Sequence, residues 1–418
     1  MTEAIRLATI DITAAKGGKG LLGDIDGDGR MELVLVQADG DIDDRYVPHT
    51  VKCVTAYRLT GELMWQYGKT PEKIGGFGAD FPAQIYDLDG DGFLEVLCVI
   101  DGKFLLLDGR TGQVKEEHPL PDPEAHDCII IANLSGNKKP NDIILKNRYT
   151  KVWALNRNFD LLWTHEGNTG HFPWAYDINS DGFDEVMAGY DMLDHNGKLL
   201  WSCKDLEDHA DCLWTGDVNG DGKKEICVGG SVTCLYDADG NELWRYSDSI
   251  ESQHIALGHF IPGAPGLQVA GLDRIRRGDG YKGQWDGKDG MFMIDCEGHG
   301  VWKEDRKTKG WLTIVDTFRN WNGEGKDHIL AYRRGGGVMP GLYNGKGECE
   351  IVFNEEGYVL HGDLFGRGKE DVIVYGPDRA VIFSGTPYDL SQEAAGKPIE
   401  QTRRLYSSTL YPGGDYEE

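Results

Sequence analysis

The chain has no apolar run near the roughly 20 residues that a membrane-spanning helix needs, no Cys-x-x-Cys pair, and only 15 prolines among 418 residues. The first absence argues against a helical membrane protein. The second argues against zinc ribbons and thioredoxin-like redox sites. Basic residues are also scarce, 43 Lys and Arg against 70 Asp and Glu, for a net charge of −27. Such a field repels nucleic acid and anionic membranes, so neither is expected as a partner; nothing points to a protein partner. The start, MTEAIRLATIDIT, lacks a basic region followed by an apolar core, so no signal peptide is expected. The nine cysteines, an odd number, sit mostly inside apolar runs such as LEVLCVI and KEICVGG. They read as buried, reduced thiols. Together these features predict a cytoplasmic protein, or a secreted one whose leader has been removed.

Glycine, by contrast, is abundant at 58 copies, which signals many tight turns between short strands. The turns recur with a period. Four segments match: LLGDIDGDGRMELVLV, QIYDLDGDGFLEVLCV, WAYDINSDGFDEVMAG and WTGDVNGDGKKEICVG. Each reads as strand, acidic glycine-rich loop, strand. Each is followed by a hairpin turning at Thr60-Gly61, Thr111-Gly112, Asn196-Gly197 or Asp239-Gly240. Four degenerate copies follow the same template, the last running from VLHGDLFGRGKEDVIVY through AVIFSG to the C-terminal RRLYSSTLY. Units of about 50 residues with four strands each predict an all-β fold, an eight-bladed β-propeller with seven blades as the alternative. Residues 1–418 then form one propeller domain closed by its terminal strands, with IRLATIDI pairing onto the last blade.

Alternating carboxylates on a tight loop suit a hard cation, and Ca²⁺ is the expected ion. The predicted ligands are Asp24, Asp26, Asp28 and Glu32; Asp87, Asp89, Asp91 and Glu95; Asp177, Asn179, Asp181 and Glu185; and Asp217, Asn219, Asp221 and Glu225. Their expected role is structural, tying the first strand of a blade to the second, on the face opposite the longer loops.

On that other face, His126, His171, His209 and His254 stand just before or within successive inner strands, with Asp80, Asp127 and Asp211 at comparable places. They are expected to converge near the axis. Arg148, Tyr149, Arg274, Arg276, Arg277, Trp285, Arg333 and Arg334 supply basic and aromatic residues to the same rim, suiting an acidic oligo- or polysaccharide. Three chemistries use such a set. Zinc hydrolysis needs three close ligands. Glycoside hydrolysis needs two carboxylates, for which Asp80 with Asp211 or Asp127 are available. β-Elimination on a uronate needs a base and a positive group that stabilises an enolate, and a rim rich in imidazole and guanidinium suits it best.

From about Cys128 to Val269 the sequence resembles the propeller-type rhamnogalacturonan lyases, polysaccharide lyase family eleven. The resembling phrases are GHFPWAYDINSDGFDEVMAG, MLDHNGKLLW, DHADCLWTGDVNGDG and HFIPGAPGLQV, with TAYRLTGELMWQYG and GADFPAQIYDLDGDG before them. The resemblance implies an eight-bladed propeller holding calcium and cleaving a rhamnose–galacturonate linkage by β-elimination. Three departures stand out: no N-terminal β-sandwich precedes the repeat, Asp80 stands where the family typically has His, and the second blade is short. On this reading His171 and His209 are the base and acid, Asp211 orients an imidazole, and Arg148 with Arg274, Arg276 and Arg277 holds the carboxylate. Asp80, His126, Tyr149, His254, Trp285, Arg333 and Arg334 complete the substrate contacts. A glycoside hydrolase on a related substrate and a non-catalytic carbohydrate-binding propeller are the alternatives.

Overall fold

The structure, a computed structural model, describes all residues except 1, 41–49, 74–79, 250, 275–288, 305–313, 334–336, 395, 401, 404–412 and 418. The described residues are all-β, with no helix among them, and none of the nine cysteines is in a disulfide. The strands follow one another as four-stranded antiparallel meanders. Their first strands are Lys19–Gly23, Ala83–Tyr86, Ile129–Ala132, Trp174–Tyr176, Cys212–Gly216, Ser252–Gly258, Ile314–Arg319 and Tyr358–Gly362. Most first strands are fully buried, whereas fourth strands such as Leu161–Glu166 alternate between exposed and half-buried residues. That gradient explains the sequence pattern: inner strands read as unbroken apolar runs because both faces are covered by neighbouring meanders.

The hairpin phrase x-Gly-x-x-x-Trp has a specific packing role. Trp65 Nε1 donates to Gly109 O at 2.7 Å, Trp163 to His195 O at 2.9 Å, Trp201 to Ala238 O at 3.0 Å, Trp244 to Cys296 O at 3.1 Å, and Trp302 to Gly345 O at 2.8 Å. Each bond joins the fourth strand of one meander to the hairpin of the next. The glycine below four of these rings, Gly112, Gly197, Gly240 or Gly298, has positive φ, and a Cβ there would lie within 2.7 Å of the indole. Glycine is therefore required twice over, by conformation and by space. The second meander has Glu116 in place of the Trp and uses an ion pair to Arg157 at 2.7 Å instead.

The last meander packs against the first: Leu360 and Ile373 share a core with Leu22, Leu33 and Tyr57, and Tyr375 Oη donates to Gly18 O at 3.1 Å. Ile5–Asp11 pairs antiparallel with Arg379–Ser384 and supplies the fourth strand of that meander. The expectation that RRLYSSTLY completes it is corrected. Most of that stretch lies outside the described residues, but Arg403 pairs with Asp184, and Gly414–Asp415 runs parallel to Trp214–Thr215 in the fifth meander. The place was already filled by the N-terminal strand.

Between the last two meanders lies a buried triad, His361 Nδ1 to Glu370 Oε2 and Nε2 to Asp316 Oδ2, both 3.0 Å. Desolvation opposes charging this imidazole, but the two carboxylates outweigh it and push its pKa up to about 9. A folded-state pKa above the unfolded value favours the native state at low pH. The stabilisation, roughly 3 kcal/mol, is complete below about pH 6.5 and is lost as pH rises to about 9. Thermal melts across that interval should show Tm falling with pH. His361→Gln should start lower and stay flat; an equally steep slope in that variant would assign the dependence elsewhere.

Candidate active site and acidic loops

The two imidazoles singled out by the sequence meet. His171 follows Gly170 (φ +62°) just ahead of strand Trp174–Tyr176, and its backbone N–H donates to Ala210 O at 3.1 Å, fixing it beside the segment that carries His209 and Asp211. Nε2 of His171 and Nε2 of His209 are 3.2 Å apart, and Asp211 Oδ1 lies 3.7 and 3.5 Å from them. His171 is 5 % exposed, His209 is the more open of the two, and the half-buried Tyr149 ring packs against both at centroid distances of 5.4 and 4.9 Å.

Both rings are held from behind. His171 Nδ1 is 3.0 Å from Asp80 Oδ2, and His209 Nδ1 is 2.6 Å from Asp208 Oδ1. A carboxylate at Nδ1 accepts a hydrogen bond from the Nδ1–H, which fixes the proton there and leaves the Nε2 lone pair pointing forward. Two such lone pairs at 3.2 Å repel unless a positive centre lies between them, either a proton or a metal ion. The three converging atoms, two imidazole nitrogens and one carboxylate oxygen, all lie within 4.8 Å of one another. With the outer carboxylates orienting the rings, this donor set fits a divalent cation. Burial pushes His171 down to about 3, while at His209 the hydrogen bond to Asp208 and the charge of Asp211 overcome desolvation and raise it to about 9. The pair thus carries one positive charge near neutral pH when a proton is that centre.

Beneath the rings lies a charge network closed off from water. Arg148 Nη1 bridges Asp80 Oδ2 (3.3 Å) and Asp127 Oδ1 (3.1 Å), and Lys146 Nζ donates to Asp127 Oδ2 at 2.6 Å and to Arg148 O at 2.8 Å. Asp80, Asp127 and Lys146 are 0 % exposed. This corrects three expectations. Asp80 and Arg148 are not rim groups that hold substrate, because each spends its charge inside. Asp80 with Asp127 cannot serve as the carboxylate pair of a glycosidase, since neither reaches the surface. Asp211 does not orient an imidazole through Nδ1; Asp80 and Asp208 do.

His254 is buried within its strand and His126 is half-buried, and neither belongs to the converging set. Four His in register therefore yield one pair. Arg333 is half-buried after strand Asp327–Tyr332. The Arg274 side chain, Arg276, Arg277, Trp285 and Arg334 lie outside the described residues. Sequence reasoning missed Asp208, which adopts φ +59° beside His209, and Lys146. Lys146 had a signal: a lysine directly after the apolar run Ile143-Ile144-Leu145 of strand Asp142–Lys146 must, once buried, find an anion.

The acidic loops organise themselves alike. The Glu that opens each second strand accepts from the backbone of the loop, Glu32 from Ile25 N at 2.9 Å, Glu95 from Leu88 N at 2.9 Å, Glu185 from Ile178 N at 3.3 Å and Glu225 from Val218 N at 2.8 Å. Burial and the surrounding carboxylates raise Glu32 to about 9, and Glu185 and Glu225 to about 7. Ser180 adopts φ +61° where the other three loops carry Gly27, Gly90 or Gly220. Ser180→Gly should raise stability by about 1 kcal/mol, read from urea midpoints; a lower midpoint would show that the serine makes a compensating contact.

The comparisons agree with this architecture. The family model for FG-GAP-like repeats matches residues 24–98. The rhamnogalacturonan endolyase YesW of Bacillus subtilis (strain 168) is 26 % identical over 261 residues, 47 % of this chain and 41 % of that protein. The rhamnogalacturonan exolyase YesX of the same organism is 22 % identical over 433 residues, 84 % of this chain and 68 % of that protein. The chain thus spans less than half of one curated relative and about two thirds of the other. The crystal structure of the exotype lyase YesX superposes with a TM-score of 0.65 at 17 % identity, covering 99 % of this chain and 76 % of that one. The V. cholerae biofilm matrix protein Bap1 gives 0.62 at 14 % identity, covering 96 % and 90 %. The chain resembles the rhamnogalacturonan lyases in sequence, and shares their fold.

Proposed function

We propose that this chain is a polysaccharide lyase that cleaves a uronate-containing, rhamnogalacturonan-like saccharide by β-elimination, at the His171–His209–Asp211 cluster of an eight-bladed propeller. The observation that carries the proposal is the convergence of two imidazole Nε2 atoms and one carboxylate oxygen, each imidazole backed by its own carboxylate. In the reaction a base removes the proton on the carbon next to the uronate carboxylate. The bond from the following carbon to the glycosidic oxygen breaks, a carbon–carbon double bond forms, and the oxygen leaves with a proton. The negative charge that grows on the carboxylate needs a positive centre fixed beforehand. A divalent ion bound at the cluster would supply Lewis-acid stabilisation there. Asp80 and Asp208 hold the rings in place, Tyr149 walls them on one side, and His209 presents the reachable edge. The hydrolase alternative cannot use the Asp80–Asp127 pair, which is 0 % exposed.

We also infer that calcium ties strands together in the first, fourth and fifth meanders. Asp24 Oδ1 is buried and has no partner, as expected of an oxygen that faces an ion. Among the described residues no Lys or Arg pairs with Asp177, Asp181, Glu185, Asp217, Asp221 or Glu225. The deciding experiment supplies rhamnogalacturonan, other uronate polymers and their oligosaccharides, and follows ultraviolet absorbance of an unsaturated uronate before and after chelation. New reducing ends without that absorbance would replace lyase by hydrolase. Binding with no new ends would replace both by a lectin-like role.

A further inference from the structure

The second acidic loop has four carboxylates, as many as the first, yet its cation position is already filled. Lys115 Nζ lies 2.5 Å from Asp89 Oδ2, 2.8 Å from Asp91 Oδ2 and 2.8 Å from Glu95 Oε1. The fourth carboxylate, Asp87, is 2.5 Å from Lys139 Nζ, which comes from the loop of the third meander. An ammonium with three carboxylate neighbours at hydrogen-bond distance uses all three of its donors. A divalent ion in the same cage would have to expel it.

Lys115 belongs to this loop alone. It stands three residues after the hairpin glycine, where the first, fourth, fifth and sixth meanders carry Met64, Leu200, Leu243 and Val301 and the seventh carries Glu350. Leu200, Leu243 and Val301 are exposed, so the position tolerates any side chain, and only a long cation there reaches the cage. The last meander uses the same device by another route. Arg367 occupies the place of Asp28 in the repeat, and its Nη2 lies 2.9 Å from Asp371, the counterpart of Glu32. In the first loop Arg58 pairs with Asp26 at 2.6 Å and with Asp28 at 3.5 Å, but Asp24 and Glu32 stay without a Lys or Arg partner among the described residues.

We propose that the second loop binds no calcium and is held by the Lys115 ammonium in the place of the ion, so that Asp-x-Asp-x-Asp-Gly here marks two kinds of loop, one closed by metal and one by the chain's own cation. A lysine of this kind gives a strand link that chelation does not break. The inference rests on the reading that the remaining loops take calcium, and the test separates the two.

The bound calcium of the full chain is counted by mass spectrometry after calcium saturation and removal of free ion. Asp91→Asn should leave the count of the wild type unchanged, while Asp221→Asn in the fifth loop should lower it by one. Lys115→Met, which installs the residue found at the same place in the first meander, should raise it by one. A lower count in Asp91→Asn, or an unchanged count in Lys115→Met, would overturn the proposal. A wild type with no calcium at all would sink the calcium reading of the other loops, while a gain in Lys115→Met would still show that the lysine stands in for an ion.

Discussion

His209→Ala should lower the rate of unsaturated-uronate formation by about 10³-fold, within the range that a single positioned acid, base or metal ligand contributes. His209 is the part of the cluster that substrate can reach, and its side chain is 24 % exposed, so truncation leaves no core cavity. His171→Ala should act similarly on rate. It removes the other Nε2 and also strips Asp80 of a partner, so its melting point should drop as well. The two roles open to the cluster give different responses to added metal. If His209 is a ligand, raising the divalent-ion concentration should restore part of the lost rate. If it transfers a proton, the loss should persist at any metal concentration. Full activity in both variants would remove the reaction from this cluster and with it the site assignment.

Lys146→Met should cost about 3–5 kcal/mol of stability, the largest effect expected of any single change outside the apolar core. Asp80, Asp127, Lys146 and Arg148 form a buried set of two negative and two positive charges. Removing the ammonium leaves an unbalanced carboxylate where water cannot solvate it. Asp127→Asn in the same chain should restore most of the loss, because charge balance returns even though one ion pair is gone. A Lys146→Met variant within about 1 kcal/mol of the wild type would mean that Asp127 picks up its proton at little cost. The network matters for function through Asp80: Arg148 holds that carboxylate, and the carboxylate holds His171. The double variant should therefore regain stability sooner than activity.

Much of the skeleton was legible before any coordinates. Strand positions, hairpin turns and the acidic loops follow from short apolar runs bounded by glycine-rich turns, both of which are local. The rule failed where local pattern is silent. His126, His171, His209 and His254 stand at equivalent places, yet only His171 and His209 touch. Their union depends on Ala210 O catching the His171 backbone and on which rotamer each ring adopts once Asp80 and Asp208 take Nδ1. Asp80 and Arg148 looked like rim residues because charge in a loop is normally solvated. Burial next to Asp127 and Lys146 makes them framework instead, which no one-dimensional pattern shows.

The acidic loops gain most from being seen in three dimensions. Read along the chain, Asp24, Asp87, Asp177 and Asp217 each open the same motif, closed by Gly29, Gly92, Gly182 or Gly222, and the sequence by itself determined that four tight carboxylate cages would form within an all-β repeat. What stands inside each cage was decided only by the tertiary structure. Lys115 lies 20 residues beyond Glu95 and on another strand, yet its ammonium is 2.8 Å from that carboxylate. Backbone geometry is set by neighbours along the chain. The electrostatic content of a cage depends on charges brought in by strands and loops folded around it, and Coulomb attraction takes no account of sequence distance.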